Sequence, residues 1–320
     1  MRELRRARRV GYTAVACAVV LRLFAAGVPE KLYCHCIKSN TDQTETGRNV
    51  RFSSSLDPFW PDFMESPPPS LPEVTEAPLP VFSGEEEVEL YYAVRKQPDI
   101  AALMARPLSW DLRQETPTVL ILHTHTTESY TRGKEDYRET SAWRTLDENY
   151  NMLAIGDLVA QILEEHGIGV IRYRELNDHP SYNGSYTRSR KAVRQLLKEH
   201  PGILLVLDLH RDAAGDGKNQ LRTRAEVDGA ASAQLMVVIG TNHEGYEENL
   251  SLGLKLHAQL EQQAPGIMRP LQLRAQRFNQ DLSSGALLIE VGAAGNSHPE
   301  ARTAAAELAE AIVALAGGTQ

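Results

Sequence analysis

Cysteine is nearly absent from this chain: of 320 residues only Cys17, Cys34 and Cys36 are cysteines, and all three lie near the N-terminus. No disulfide framework or Cys-rich zinc motif holds the bulk of the chain, so any metal must be taken by histidine and carboxylate. Phosphate-cradling glycines are missing too. Neither G-x-G-x-x-G nor a Walker sequence occurs, which removes the usual signature of nucleotide chemistry. The absence of His-Glu-x-x-His excludes the common metalloprotease site. Positive charge is not in excess. With 34 Lys and Arg against 42 Asp and Glu, the formal net charge is −8, which argues against nucleic acid as the main partner. No internal repeat is visible. What is present is a composition 42% hydrophobic and 24% charged, enough to bury a sizeable core in one domain of about 200 residues once the ends are set aside.

The N-terminal end is organised for a membrane. Arg2, Arg5, Arg6, Arg8 and Arg9 form a basic segment over 1–9, and an apolar run follows from Val10 to Val28. That run has about the ~20 residues that span a bilayer as a helix, and the arginines keep this end in the cytoplasm. Two readings stay open. Residues 10–28 are a retained transmembrane anchor, tolerating Arg22 near one end, or a signal peptide cut near Ala25-Ala26-Gly27. Either way the remainder is exported. Residues 29–115 read as a spacer largely low in regular structure. The run Ser66-Pro67-Pro68-Pro69-Ser70-Leu71-Pro72 and the acidic Glu85-Glu86-Glu87 are extended-linker composition. Within the spacer, the apolar patch Val88 to Val94 is either a strand or a small helix packed on the domain.

From 116 to 320 strands and helices alternate regularly. Thr118 to Leu122 reads as a buried strand, and 149–166 as a helix with Leu153, Ile155, Leu158, Val159, Ile162 and Leu163 at helical spacing, stopped by Gly167. A strand over 168–173, a helix over 185–200 and a strand over 203–209 follow. The segment 221–227 is expected to pair as a hairpin with 234–239 through Asp228-Gly229. A helix over 250–260, a strand over 286–289 and a helix opened by Ser297-His298-Pro299-Glu300 complete the chain. This is an α/β pattern, and it predicts a mostly parallel central sheet with helices on both faces.

Polar chemistry is parked at the strand ends. The first strand stops at His123-Thr124-His125-Thr126-Thr127-Glu128, the third at His210-Arg211-Asp212, and the last at Glu290. In open α/β sheets ligands bind at the carboxyl ends of strands, so these groups are expected to converge there. Histidines from different strands, a nearby carboxylate and a further Glu amount to a three-ligand zinc site with a general base. His123 directly follows the last apolar residue of its strand, as His210 follows its own, so the two are expected at similar height. His125, two residues further out, is expected to support the site from behind. Arg211 either steadies the oxyanion or substrate carboxylates, or pairs with Asp212.

Five segments in order carry a family resemblance: His-Thr-His-Thr-Thr-Glu-Ser-Tyr (123–130), Tyr-Asn-Gly-Ser-Tyr (182–186), Leu-Asp-Leu-His-Arg-Asp-Ala (207–213), Ile-Gly-Thr-Asn (239–242) and Leu-Leu-Ile-Glu-Val-Gly (287–292). Together with the anchor and spacer they resemble stage II sporulation protein P, a branch of the zinc-dependent N-acetylmuramoyl-L-alanine amidase fold. The resemblance implies zinc (Zn2+) held by His123, Glu128 and His210, with Glu290 as catalytic acid/base. It also implies cleavage of the amide joining N-acetylmuramic acid to the stem peptide, and of peptide cross-links, in septal peptidoglycan during sporulation. The implied place is the cell membrane, with the domain in the space between forespore and mother cell and sporulation proteins D and M as partners. Two other classes stand beside it: a non-catalytic wall-binding module, against which an intact Glu290 argues, and a zinc deacetylase, for which Asp208 leaves an opening.

Overall fold

The computed structural model describes residues 75–316, apart from 84–85, 93–97, 109, 134–136, 138, 140–142 and 216–218. The expected anchor at 10–28 and the proline run lie outside the described residues. Among the described residues no helix is long and apolar enough to cross a membrane.

An eight-stranded sheet forms the middle layer. Its strands are β1 (Thr75–Ser83), β2 (Glu86–Tyr92), β3 (Val119–Leu122), β4 (Val170–Arg172), β5 (Leu205–Asp212), β8 (Leu235–Gly240), β9 (Leu271–Arg274) and β10 (Ala286–Ala293), in the order β1-β2-β9-β8-β10-β5-β3-β4. Pairing is parallel except at two places, β1 with β2 and β8 with β10. The sheet is therefore mostly parallel, as the strand–helix alternation requires. The β8/β10 seam separates the parallel block β10-β5-β3-β4 from the oppositely running parallel block β2-β9-β8, with β1 antiparallel at the edge of the latter.

The stretch expected as a spacer contains β1, β2 and the short helix α1 (Ile100–Ala105). The open choice for the apolar patch resolves to a strand, since Val88 and Leu90 are buried and β2 runs parallel to β9. The expected hairpin differs as well. Its arms are β6 (Ala225–Val227) and β7 (Ala230–Ser232), with Asp228 and Gly229 both at positive φ in the turn. This is the two-residue connection whose twist suits a hairpin. The apolar run 235–240 instead enters the main sheet beside β10, where all six of its residues are buried.

Strand alternation sends successive side chains to opposite faces, and here both faces are covered. Val119 and Ile121 of β3, Leu205, Leu207 and Leu209 of β5, and Leu287 and Ile289 of β10 pack with α2 (Met152–Glu165), α4 (Tyr246–Gln263) and α5 (His298–Leu315). Leu120, Leu122, Val206 and Ala286 point the other way, onto Val193, Leu196 and Leu197 of α3 (Ser185–Glu199). Truncating one of these fully buried aliphatic side chains to Ala would cost about 2–5 kcal/mol.

Helix starts are set by local chemistry. In α5 the Ser297 side chain accepts from the Glu300 N–H while the Glu300 carboxylate accepts from the Ser297 N–H, a reciprocal capping box. In α2 the Asn151 side-chain oxygen accepts from the Leu153 N–H at 2.9 Å, and its amide donates to the Thr145 carbonyl at 3.3 Å. Asn151 thus caps the helix and ties it to the loop that follows β3. Asn151→Ala should lower stability by about 1–2 kcal/mol, read as a shift of the urea midpoint at unchanged slope. An unchanged midpoint would show that the cap contributes nothing.

Candidate active site

The carboxyl ends of β3, β5 and β10 meet at one edge of the sheet, and the register decides which side chains meet there. Pairing of Leu122 with Asp208 makes His123 level with Leu209 and not with His210. His123 therefore falls on the α2 face. There it is 2% exposed, its Nδ1 lies 3.0 Å from the Leu209 carbonyl oxygen, and its ring packs on Gly156. A Cβ at residue 156 would sit 2.5 Å from His123 Nε2, so a residue without a side chain is needed for the approach. Burial pushes the His123 imidazole down to about 4, partly offset by the Leu209 carbonyl. His123 and His210 thus lie on opposite faces, against the expectation that the two sit at similar height on one edge. The end of an apolar run does not fix the register, and here a one-residue offset between β3 and β5 changes the face.

His210 and Glu290 do share a face, as directly paired neighbours on β5 and β10. His125 joins them because the chain leaves β3 after Leu122 and turns. Threonines hold that turn. The Thr124 N–H donates to Asp208 Oδ1 at 2.8 Å, the Thr124 hydroxyl donates to Asp208 Oδ2 at 2.6 Å, and the Thr126 hydroxyl donates to the His123 carbonyl at 2.9 Å. The Thr127 hydroxyl donates to Asp178 at 2.7 Å. The turn carries the His125 ring to within 5.2 Å of the His210 ring, edge to face, and brings Glu128 back beside His210.

The four groups so assembled, His125, Glu128, His210 and Glu290, are all at most 3% exposed. His210 Nε2 lies 3.0 Å from Asp208 Oδ1, and its Nδ1 lies 3.6 Å from Glu128 Oε2. Neither contact has the geometry of a hydrogen bond, so both ring nitrogens are buried without one. Burial disfavours a charge on this imidazole, but the Asp208 and Glu128 carboxylates outweigh it and hold its pKa well above the ordinary value. Burial likewise opposes ionisation of Glu128, yet Arg211 and then His210 keep the carboxyl far below the usual carboxylate range. Glu290 has the opposite fate. Burial, and next the charge of Asp212, raise it to about 8, and its Oε2 has no hydrogen-bond partner.

Arg211 is buried and committed to backbone carbonyls and to Glu128. Its Nε donates to the Ser129 carbonyl at 2.9 Å and its Nη2 to the Trp143 carbonyl at 3.0 Å, while Nη1 is 3.4 Å from Glu128 Oε1. A guanidinium engaged at all three nitrogens in this way holds Glu128 and the turn in place. The expected pairing with Asp212 is also replaced, because Asp212 bonds Arg269 at 2.7 Å. Sequence reasoning missed Arg144, whose Nη1 lies 2.5 Å from Asp178 Oδ2 and Nη2 3.5 Å from Glu128 Oε1, with its guanidinium over the Tyr182 ring. Nothing in its own neighbourhood in the chain marks it. Tyr182 and Ser185 belong to the Tyr-Asn-Gly-Ser-Tyr segment (182–186). Here the Tyr182 ring stacks on His125 at 4.5 Å.

The donor set can be tested against a metal. Among the described residues no three His, Cys, Asp or Glu side chains form a ready-made metal cage. Two of the donors nevertheless have the right mutual spacing. Ligand atoms each about 2.0–2.2 Å from a tetrahedral zinc lie about 3.3–3.6 Å from one another, and His210 Nδ1 and Glu128 Oε2 are 3.6 Å apart. Asp208 at the opposite nitrogen is the carboxylate that commonly orients a metal-binding histidine. Buried ring nitrogens without hydrogen bonds, next to an ionised carboxylate, fit a cation.

Comparison with known proteins gives a family and a set of structural relatives. The family model described as Stage II sporulation protein P matches residues 64–313. The stage II sporulation protein P of Bacillus subtilis (strain 168) is 28% identical over 252 residues, covering 75% of this chain and 59% of that protein. The chain therefore spans less than two thirds of the length of that curated relative. Among solved structures, an N-acetylmuramoyl-L-alanine amidase from Clostridium difficile is 18% identical over 63% of this chain and 95% of its own, with a TM-score of 0.39. The CwlD amidase from Clostridioides difficile, solved in complex with the GerS lipoprotein, is 17% identical over 61% and 94%, with a TM-score of 0.38. TM-scores this low carry no inference about this chain.

The environment of Glu290 predicts a pH dependence. A carboxyl titrating near 8 in the folded, metal-free chain and near 4.3 when unfolded keeps its proton on folding between those values. The unfolded state then binds fewer protons, so Glu290 makes stability fall as pH rises from about 5 to 8. Glu290→Gln cannot ionise and should gain on the parent chain as pH rises through that window. Denaturant titrations of both metal-free chains at pH 5 and pH 8 measure the difference. Equal pH dependence would contradict the burial described here.

Proposed function

The chain belongs to the stage II sporulation protein P family, and on that premise we propose that it is a zinc-dependent peptidoglycan hydrolase acting in sporulation. It cleaves the amide between N-acetylmuramic acid and the stem peptide, with peptide cross-links as a second class of bond. The observation that carries this reading is the meeting of His125, Glu128, His210 and Glu290 on one face at one sheet edge, with His210 Nδ1 and Glu128 Oε2 at ligand spacing. The amidase-like architecture implied by the sequence motifs agrees with a strand-end site of this kind. Residues 10–28 tether the domain, or deliver it, to the outer side of the cell membrane, where its substrate lies.

His125, Glu128 and His210 are the residues that would hold the zinc, and His123 supports β3 and α2 from the opposite face. Zinc so held supplies Lewis acidity toward the scissile carbonyl and a nucleophile at neutral pH. The rest is the work of the chain. Glu290 takes the proton of the attacking water and returns it to the leaving nitrogen, which departs poorly unless protonated. A carboxyl that burial holds at about 8 exchanges a proton near neutral pH, and neighbouring positive charge favours its ionised, basic form. Asp208 holds the His210 imidazole by charge from the side of its other ring nitrogen. Arg211 and Arg144 hold Glu128 ionised and in place.

Digestion of purified peptidoglycan by the full chain tests the reaction. A new free amino terminus at the first stem-peptide residue supports the amidase reading. Free acetate would mean a deacetylase, and no product a wall-binding module. Metal analysis tests the site. The chain should carry about one equivalent of zinc, lost in His125→Ala and His210→Ala but kept in a less stable His123→Ala. Glu290→Gln should keep zinc and lose on the order of 10²–10⁴-fold in turnover. Zinc kept in His125→Ala and lost in His123→Ala would overturn the ligand set.

A further inference from the structure

Arg211 and Arg144 are engaged with Glu128, Asp178 and backbone carbonyls, so the positive charge closest to the site serves the frame. A second source of positive charge lies in α3. This helix of 15 residues holds Arg188, Arg190, Lys191, Arg194 and Lys198 against a single carboxylate, Glu199. The other long helices, α2, α4 and α5, each hold more carboxylates than cations, and the whole chain stands at −8. The cations of α3 divide by what they touch. Arg188 donates to the carbonyls of Asn177, Ser181 and Asn183, and Arg190 forms a two-pronged pair with Asp281. Lys191, Arg194 and Lys198 are exposed, and among the described residues none of them has a hydrogen bond or an ion pair. Their spacing of i, i+3 and i+7 aligns them along one side of the helix, turned away from Val193, Leu196 and Leu197, which pack on the sheet. Glu199 is taken by Gln195, which donates to it at 2.9 Å.

We propose that the exposed face of α3 is an accessory binding surface for the stem-peptide carboxylates of a wall strand, with Lys191, Arg194 and Lys198 meeting successive anionic groups of the polymer whose reacting bond lies at the sheet edge. The helix starts at that edge. The Tyr186 ring, in its first turn, lies 5.5 Å from the His125 ring and 6.3 Å from the His210 ring. At a rise of 1.5 Å per residue, Lys191 stands about 8 Å and Lys198 about 18 Å along the axis from Tyr186. A polymer that leaves the edge along α3 therefore meets the three charges in turn. Exposed cations on long stems suit such a ligand, because they follow a mobile chain of carboxylates without demanding one geometry. Each contact is weak alone, and several on one strand act together because the first holds the rest nearby. The identity of the polymer rests on the wall-hydrolase reading, whereas the cationic face does not depend on the metal.

Co-sedimentation of the full chain, in neutral detergent, with insoluble peptidoglycan freed of attached phosphate polymers measures the surface directly. Glu290→Gln serves as the parent so that the wall stays intact during the measurement. Adding Lys191→Gln, Arg194→Gln and Lys198→Gln together should weaken binding about 10-fold at low salt. The difference should vanish at high salt and on wall whose carboxylates have been converted to amides. The charge-keeping set Lys191→Arg, Arg194→Lys and Lys198→Arg should bind like the parent. Circular dichroism confirms that α3 is intact in each variant. Equal binding by the uncharged variant and its parent, or a defect that persists on the amidated wall, would overturn the proposal. So would a defect confined to vesicles of anionic phospholipid, which would make this face a membrane contact. Charge-dependent binding of the wall by a chain that, with Glu290 in place, cleaves no bond in it would leave this surface standing and sink the hydrolase reading instead.

Discussion

Glu128 is a carboxylate held almost entirely away from water, and an uncompensated charge in such a place costs several kcal/mol. The rest of the site is arranged around that cost. Arg211 answers it from β5, through its backbone N–H as well as its guanidinium, and Arg144 answers it from the loop after β3. Each arginine has a second task. Arg211 ties down the Ser129 and Trp143 carbonyls, and Arg144 reaches Asp178 and Tyr182. One carboxylate thus locks together the turn that ends β3, the end of β5, and the segment before α3. Removing either arginine would release more than a charge.

Around that anchor three buried carboxyl groups take different protonation states because their surroundings differ. Asp208 accepts from the Thr124 backbone and hydroxyl and lies against His210. These interactions overcome the burial that would raise it and leave its pKa below the ordinary value. Glu128 is depressed further, by Arg211 first. Glu290 receives no comparable help. It sits in β10, flanked by β5 on one side and by the antiparallel β8 on the other, opposite His210 and Met236. The antiparallel seam is what places an apolar strand on that second side, and desolvation then raises the carboxyl into the range where proton transfer is useful. Groups whose environments drive their pKa values apart divide into fixed charges and proton carriers.

Much of this was legible in the chain. The strand–helix alternation from residue 116 onward identified the α/β class and the mostly parallel sheet, because burial of both faces requires continuous apolar strands such as 119–122, 205–209 and 286–289. Helix limits were legible from caps and stops, as with Gly167 and the box at Ser297 and Glu300. The polar groups that follow the apolar runs were legible as a site, although β5 and β10 continue to Asp212 and Ala293 and so carry His210 and Glu290 inside the strands and not at their ends. The pairing of 221–227 with 234–239 was not, since an apolar run does not reveal whether it will find its neighbour locally or across the sheet. The hairpin kept only the short arms around Asp228-Gly229, and β8 went to β10.

The chain by itself determined which residue types reach the edge of the sheet, and therefore the kind of chemistry available there. Tertiary structure alone decided which histidine lies beside His210 and Glu290. His123 and His125 are two residues apart, and periodicity along one strand cannot say which of them meets His210, because that depends on the register of β3 against β5 and on where the chain leaves the strand. Pairing of Leu122 with Asp208 turns His123 to the α2 face, and hydrogen bonds from Thr124 and Thr126 bend the chain so that His125 and Glu128 come round to His210. The same holds for Arg211 and Arg144. A sequence places a positive charge near a site, but only the carbonyls and carboxylates around the guanidinium decide whether it faces the substrate or holds the frame.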